Sequence, residues 1–160
     1  MMDKSADVAA FLDARRTELV NTATVTVGRA HLAHYEAAGQ AHTEERLVAL
    51  LDVLIRCCRQ HHLDEALSYA DRLATDRHRS GYPLLEVQTV INGLEETVWR
   101  SVISDLPAED QGYALGLVST VLGAVKDALA RGYLAHSGSH PVPLRIESLF
   151  SGSEGTAPDL

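Results

Sequence analysis

The residues best equipped for chemistry are eight histidines, and their spacing decides what they could do. His31 and His34 stand three apart, which on a helix places two side chains on one face. His42 or the His61–His62 pair could add a third metal ligand. No HExxH, no Glu-x-x-His pair and no Cys/His ligand set accompanies them, so surface histidines and no bound metal are expected. Haem asks for less: one proximal histidine and an apolar cavity. His78, between the charged Arg77 and Arg79, is the candidate there. A haem or small apolar ligand between helices is the alternative to the main reading developed below.

Other reactive types offer less. Cys57 and Cys58 are adjacent, and a disulfide between neighbours is strained. They read as two small apolar side chains in a reducing compartment. Glu95 and Glu96 diverge on a helix, and Glu96 stands four residues before Arg100, the favourable order for a helical ion pair. No GxSxG, Walker loop or GxGxxG occurs, so no enzyme is expected. The basic cluster Arg72, Arg77, His78 and Arg79 falls near a helix end, where positive charge meets the negative pole of the dipole. Its other use would be contact with an anion or a partner protein.

Charge and composition narrow the class. The chain has 160 residues, a single-domain length, with 46% hydrophobic residues and a formal net charge of −8. That charge opposes nucleic acid and anionic lipid, which are held by basic side chains. The first residues lack the basic start and apolar run of a secretory signal, and no stretch of about 18 uninterrupted apolar residues occurs. The expectation is a cytoplasmic bacterial protein.

Helices must position these residues. Ser5 can cap a first helix with the stripe Val8, Phe11, Leu12, Leu19. The β-branched run Thr22–Thr26 weakens it, so the segment reads as two helices or one bent near Asn21, stopping at Gly39. Thr43 with Glu44 and Glu45 signals the next start, and Leu47–Cys58 is apolar nearly all round, the mark of a central helix. Asp64 opens a helix to about Arg79. Ser80-Gly-Tyr-Pro then breaks it, with Gly81 in the left-handed region and Pro83 in a first helical turn. Leu84–Leu106 carries the cleanest stripe and the single tryptophan, Trp99. Pro107 separates it from a last helix reaching Tyr133. The fold class is all-α, a bundle of about five to seven helices with two long antiparallel helices near the C-terminus. Residues 1–135 form the domain. Residues 136–160 form a linker and tail with an apolar island at 144–150, where Leu144, Ile146, Leu149 and Phe150 could dock on a partner or fold back.

The pattern Tyr69-Ala-Asp-Arg-Leu-Ala, then Arg77-x-Arg-x-Gly-Tyr-Pro-Leu-x-Glu-Val and a helix ending Val98-Trp-Arg, resembles the N-terminal sensory domain of the RsbT co-antagonist family, the RsbR-type stressosome proteins. The likeness spans residues 5 to 135, and its specific part is Leu67 to Arg100. It implies a globin-like fold, usually without haem, that dimerises and serves as a non-enzymatic input module in stress or sigma-factor signalling. In that family a phosphorylatable STAS domain follows. This chain departs by ending at Leu160, so it would signal through its own surface or tail, or by mixing with longer relatives. The candidate contact residues are Arg77, His78, Arg79, Tyr82, Trp99 and Arg100, with the four apolar tail residues named above. The expected partners are a second copy and a regulatory protein.

Overall fold

The computed structural model describes residues 3–138, and these form seven helices and no strand. In chain order they are α1 (Lys4–Ala14), α2 (Arg16–Gly28), α3 (Ala33–Ala38), α4 (Gln40–Gln60), α5 (Asp64–Arg79), α6 (Leu84–Asp105) and α7 (Ala108–His136). The all-α bundle expected from the periodicity is what the chain adopts. The apolar island at 144–150, with Leu144, Ile146, Leu149 and Phe150, lies outside the described residues.

Helix α4 is central and packs against all six others. Leu47, Leu50, Leu51, Val53, Leu54, Ile55, Cys57 and Cys58 are all buried, so nearly every side of it is covered. A helix apolar all round has no stable place elsewhere. The two longest helices, α6 and α7, are joined through Leu106 and Pro107 alone. The Gln111 amide donates to the carbonyls of Ile103 and Leu106, Ser119 bonds Glu95, and Lys126 reaches Glu95 and Asn92. Advancing along one helix while receding along the other makes the pair antiparallel.

Several boundaries differ from the sequence reading. The first cap is Asp3, whose carboxylate accepts from the Ser5 amide at 3.1 Å. The Ser5 hydroxyl is buried and donates to the Cys58 carbonyl. The first break falls at Arg15, not near Asn21. Thr22–Thr26 stays helical because the Thr24 and Thr26 hydroxyls turn back to the carbonyls four residues earlier. Helix α4 starts at Gln40, ahead of Thr43, because Gly39 (φ +96°) turns the chain directly from α3 into α4. Thr43 is buried inside the helix. His31 (φ +49°) lies between α2 and α3, so it shares no helical face with His34. Pro83 stands one residue before α6, and Gly81 has the left-handed φ of +79°.

Helix α7 has the length and apolarity of a membrane span by composition alone. In this fold it packs most extensively on α5, then on α6. The α5 contact is close: a Cβ on Gly132 would sit 2.5 Å from Ala74 Cβ. Neither side can yield by rotating a side chain, so the helices would have to part. Gly132→Ala should therefore destabilise the protein by about 1–3 kcal/mol, despite the higher helix propensity of alanine. Urea denaturation measures it, and a variant more stable than the parent would refute the close approach.

Candidate functional site

Two regions carry features that packing alone does not explain. The first forms where α5 ends. Arg77 falls seven residues after Ala70 and four after Leu73, on the buried face of α5, and is itself only 2% exposed. The sequence reading groups Arg77 with Arg72, His78 and Arg79 as one basic cluster at the helix end; here it leaves that cluster for the core. The apolar register of α5 turns residue 77 inward, while Arg79 stays exposed and His78 half-buried.

The buried guanidinium lies against aromatic rings. Its centre is 5.0 Å from the Tyr82 ring and 5.9 Å from that of Tyr35, which meets Tyr82 edge-on at 5.0 Å. Such placement over ring faces attracts a cation. Nη1 donates to the Asp76 carboxylate, but Nε and Nη2 are buried with no partner among the described residues. Leaving a buried donor unmade costs about 1–3 kcal/mol, and more on a charged group. His42 Nε2 and Arg46 Nε are buried and unpartnered as well, on the half-buried face of α4. The His42 ring lies 6.3 Å from that of Tyr35.

The phenols around this point are hard to ionise. Burial pushes Tyr69 and Tyr133 up to about 12, and raises Tyr35 against the opposing pull of Arg77. Burial, followed by the charges of Arg46 and Arg77, lowers His42, so its imidazole is neutral near pH 7. The Tyr133 hydroxyl donates to the Tyr82 carbonyl at 2.8 Å and pins the Gly81 turn to α7. His78 stacks on His136 with centroids 5.6 Å apart and meets Tyr133 edge-on.

The second region is the outer face of α6 and α7. Leu85 (74% exposed), Trp99 (50%) and Ile103 (47%) stand on one line of α6, fourteen and four residues apart. Beside Trp99, a groove of about 470 Å³ is lined by Asn92, Glu95, Glu96, Leu115, Val118 and Ser119. Arg100 is exposed and pairs with Glu96 at 2.5 Å, four residues apart as the spacing suggested. Gly112, Gly116 and Gly123 share a face of α7 with Ser119, and a Cβ on any of the three would meet nothing within 4 Å. No packing among the described residues requires them. Each weakens the helix by about 1 kcal/mol relative to alanine.

Elsewhere, a cavity of about 310 Å³ opens among Thr24, Val25, Val27, Leu32, Tyr35 and Thr43, and one of similar size among Lys4, Val8, Leu106 and Tyr113. Among the described residues, no histidine lines either of these or the Trp99 groove. His31 bonds Glu36 at 2.7 Å, and His34 lies 3.2 Å from Glu86. Among the described residues no three His, Cys, Asp or Glu side chains converge on a metal position.

The structure thus separates the candidates. Arg77 and Tyr82 come together, His78 flanks them, Arg79 points away, and Trp99 and Arg100 belong to a different face. Sequence reasoning missed Tyr35, Arg46, Tyr69 and Tyr133, and weighed His42 only as a metal ligand. Arg77 had a usable signal, because it continues the Ala66–Ala70–Leu73–Ala74 stripe. No family model, curated protein or solved structure matches this chain.

Burial raises both thiols, Cys58 to about 12. Since the thiolate is the nucleophile, neither cysteine should react with a disulfide reagent at pH 8 until the protein unfolds. Titration of the native and denatured protein checks this, and rapid native labelling would contradict it.

Proposed function

We propose that this chain is a non-enzymatic regulatory or sensory domain that works through protein–protein contacts, the first of them a homodimer formed on the outer face of α6 and α7. The observation that carries the reading is Trp99. An indole half in water beside a groove is the residue type that anchors protein interfaces. Ile103 and Leu85 extend the apolar line, and the glycines of α7 leave room for another backbone to approach. Under a two-fold axis, Trp99 of each copy would enter the groove of the other. The signal would be a shift between two packing arrangements, biased by a ligand or a regulatory protein partner. The likeness of Leu67–Arg100 to RsbR-type sensory domains supports a globin-like, non-haem input module of a cytoplasmic stress or sigma-factor pathway.

A second reading, a small apolar ligand, draws on the cavity lined by Val25, Val27, Leu32 and Tyr35. Haem is its less favoured form, because iron would find no histidine there. A Soret band in the purified protein would support haem and count against the first reading.

Trp99 is the sole tryptophan, so its emission reports on this face alone. Raising the protein concentration should shift that emission to the blue as the ring leaves water. Ile103→Lys should abolish the shift while leaving the melting temperature of the dilute monomer unchanged. Gly116→Ala should stabilise the isolated chain by up to about 1 kcal/mol while weakening association. Emission typical of an exposed indole at every concentration would contradict the dimer.

A further inference from the structure

The polar atoms around Tyr35 fit one class of ligand. Arg77 Nε and Nη2, Arg46 Nε and His42 Nε2 are four nitrogen atoms buried without a hydrogen-bond partner. Three of them belong to permanent cations, whose N–H groups can only donate. They come from two helices: His42 and Arg46 are neighbours one turn apart on α4, and Arg77 stands on α5. Tyr35, from α3, lies between the two sets, close to both the His42 ring and the Arg77 guanidinium.

The nearby carboxylates do not saturate these donors. Asp76 takes Arg77 Nη1. Glu86 is engaged by the His34 amide and lies against the His34 imidazole. Glu45 is exposed, and Arg46 has no ion pair among the described residues. A cation partly neutralised on one edge and bare on the other is half of a charge-assisted pair. His42 and Arg46 are half-buried on the side of α4 that faces solvent, and Arg77 is fully buried.

We infer that Arg77, Arg46 and His42, gathered around Tyr35, form a binding site for a small oxyanion, a phosphate or carboxylate group whose oxygens take the free guanidinium donors. The flat guanidinium fork of Arg77 presents Nε and Nη2 side by side, the edge that receives two oxygens of one anion at once. Neutral His42 would donate from Nε2 if its proton sits there. Tyr82 would close the site with its ring, and Tyr35 would do so with its phenol in reach of the Arg77 guanidinium. The site stands apart from the α6–α7 contact and does not depend on it. Binding would tie α3 and α4 to the end of α5, an entry point for a signal.

Calorimetric titration of the full chain with inorganic phosphate, and separately with succinate, in chloride buffer of matched ionic strength tests the site. Saturable binding of at least one probe at one site per chain is expected, and the two arms distinguish phosphate from carboxylate. Arg46→Gln and Arg77→Met should each weaken binding about tenfold or more, with helical circular dichroism unchanged. Should Arg77→Met fail to fold, Arg46→Gln and His42→Gln, both at half-buried positions, decide the matter. No saturable binding of either probe, or equal binding in Arg46→Gln, would overturn the site. Equal thermal stabilisation of parent and variants by phosphate would also overturn it, since that marks a general salt effect.

Discussion

Helix α7 lies as close to α5 as it does because residue 132 has no side chain. The Gly132–Ala74 contact fixes where the end of α7 falls, and the next residue, Tyr133, then reaches the Tyr82 carbonyl. That bond holds the turn between α5 and α6. The turn in turn sets where Tyr82 covers Arg77 and in which direction α6 departs. The aromatic enclosure of Arg77 and the outward presentation of Trp99 thus depend on one bare backbone position. Packed interiors transmit such constraints because they have little free volume to absorb a displaced methylene.

The two unusual regions differ in kind. Around Arg77 the anomaly is polar: two of its guanidinium nitrogens are buried with no partner among the described residues, and burial raises the phenols beside them. On α6 and α7 the anomaly is apolar: a tryptophan and an isoleucine stand exposed beside glycines that no packing among the described residues requires. Each of the two proposed contacts would relieve one region, and each calls for a different kind of partner. A domain that carries both can link a small-molecule event at α3–α5 to a contact on α6–α7 through the Tyr82–Tyr133 bond. That coupling needs two packing states biased by both sites.

Much of the helical layout was legible in the sequence. The all-round apolar run at 47–58 marked α4 as central, and Gly81 with Pro83 marked the turn into α6. The boundaries that differ from the sequence reading have separate causes. Asn21 was preferred to Arg15 as a break because β-branched threonines lower helix propensity, yet their hydroxyls found acceptors within the helix itself. Thr43 was preferred as a cap to Gly39, whose positive φ does the turning. The buried Arg77 was hidden by its neighbours: with Arg79 and His78 it read as a basic cluster at the helix end, while the stripe of α5 pointed inward. The convergence of Tyr35, Tyr82 and Tyr133 joins residues 35 to 133, a separation that no local pattern reports. Trp99 was legible as an anchor of either the core or an interface, and only packing showed which side of α6 it occupies.

The central claim is that the exposed face of α6 and α7 is where this chain meets another copy of itself. Sedimentation equilibrium over a wide range of concentrations tests it most directly. The account predicts a mass that rises with concentration from the 17.3 kDa monomer to twice that value, and a monomer throughout for Trp99→Lys. A parent protein that stays monomeric at every concentration, or a variant that associates as the parent does, would contradict it.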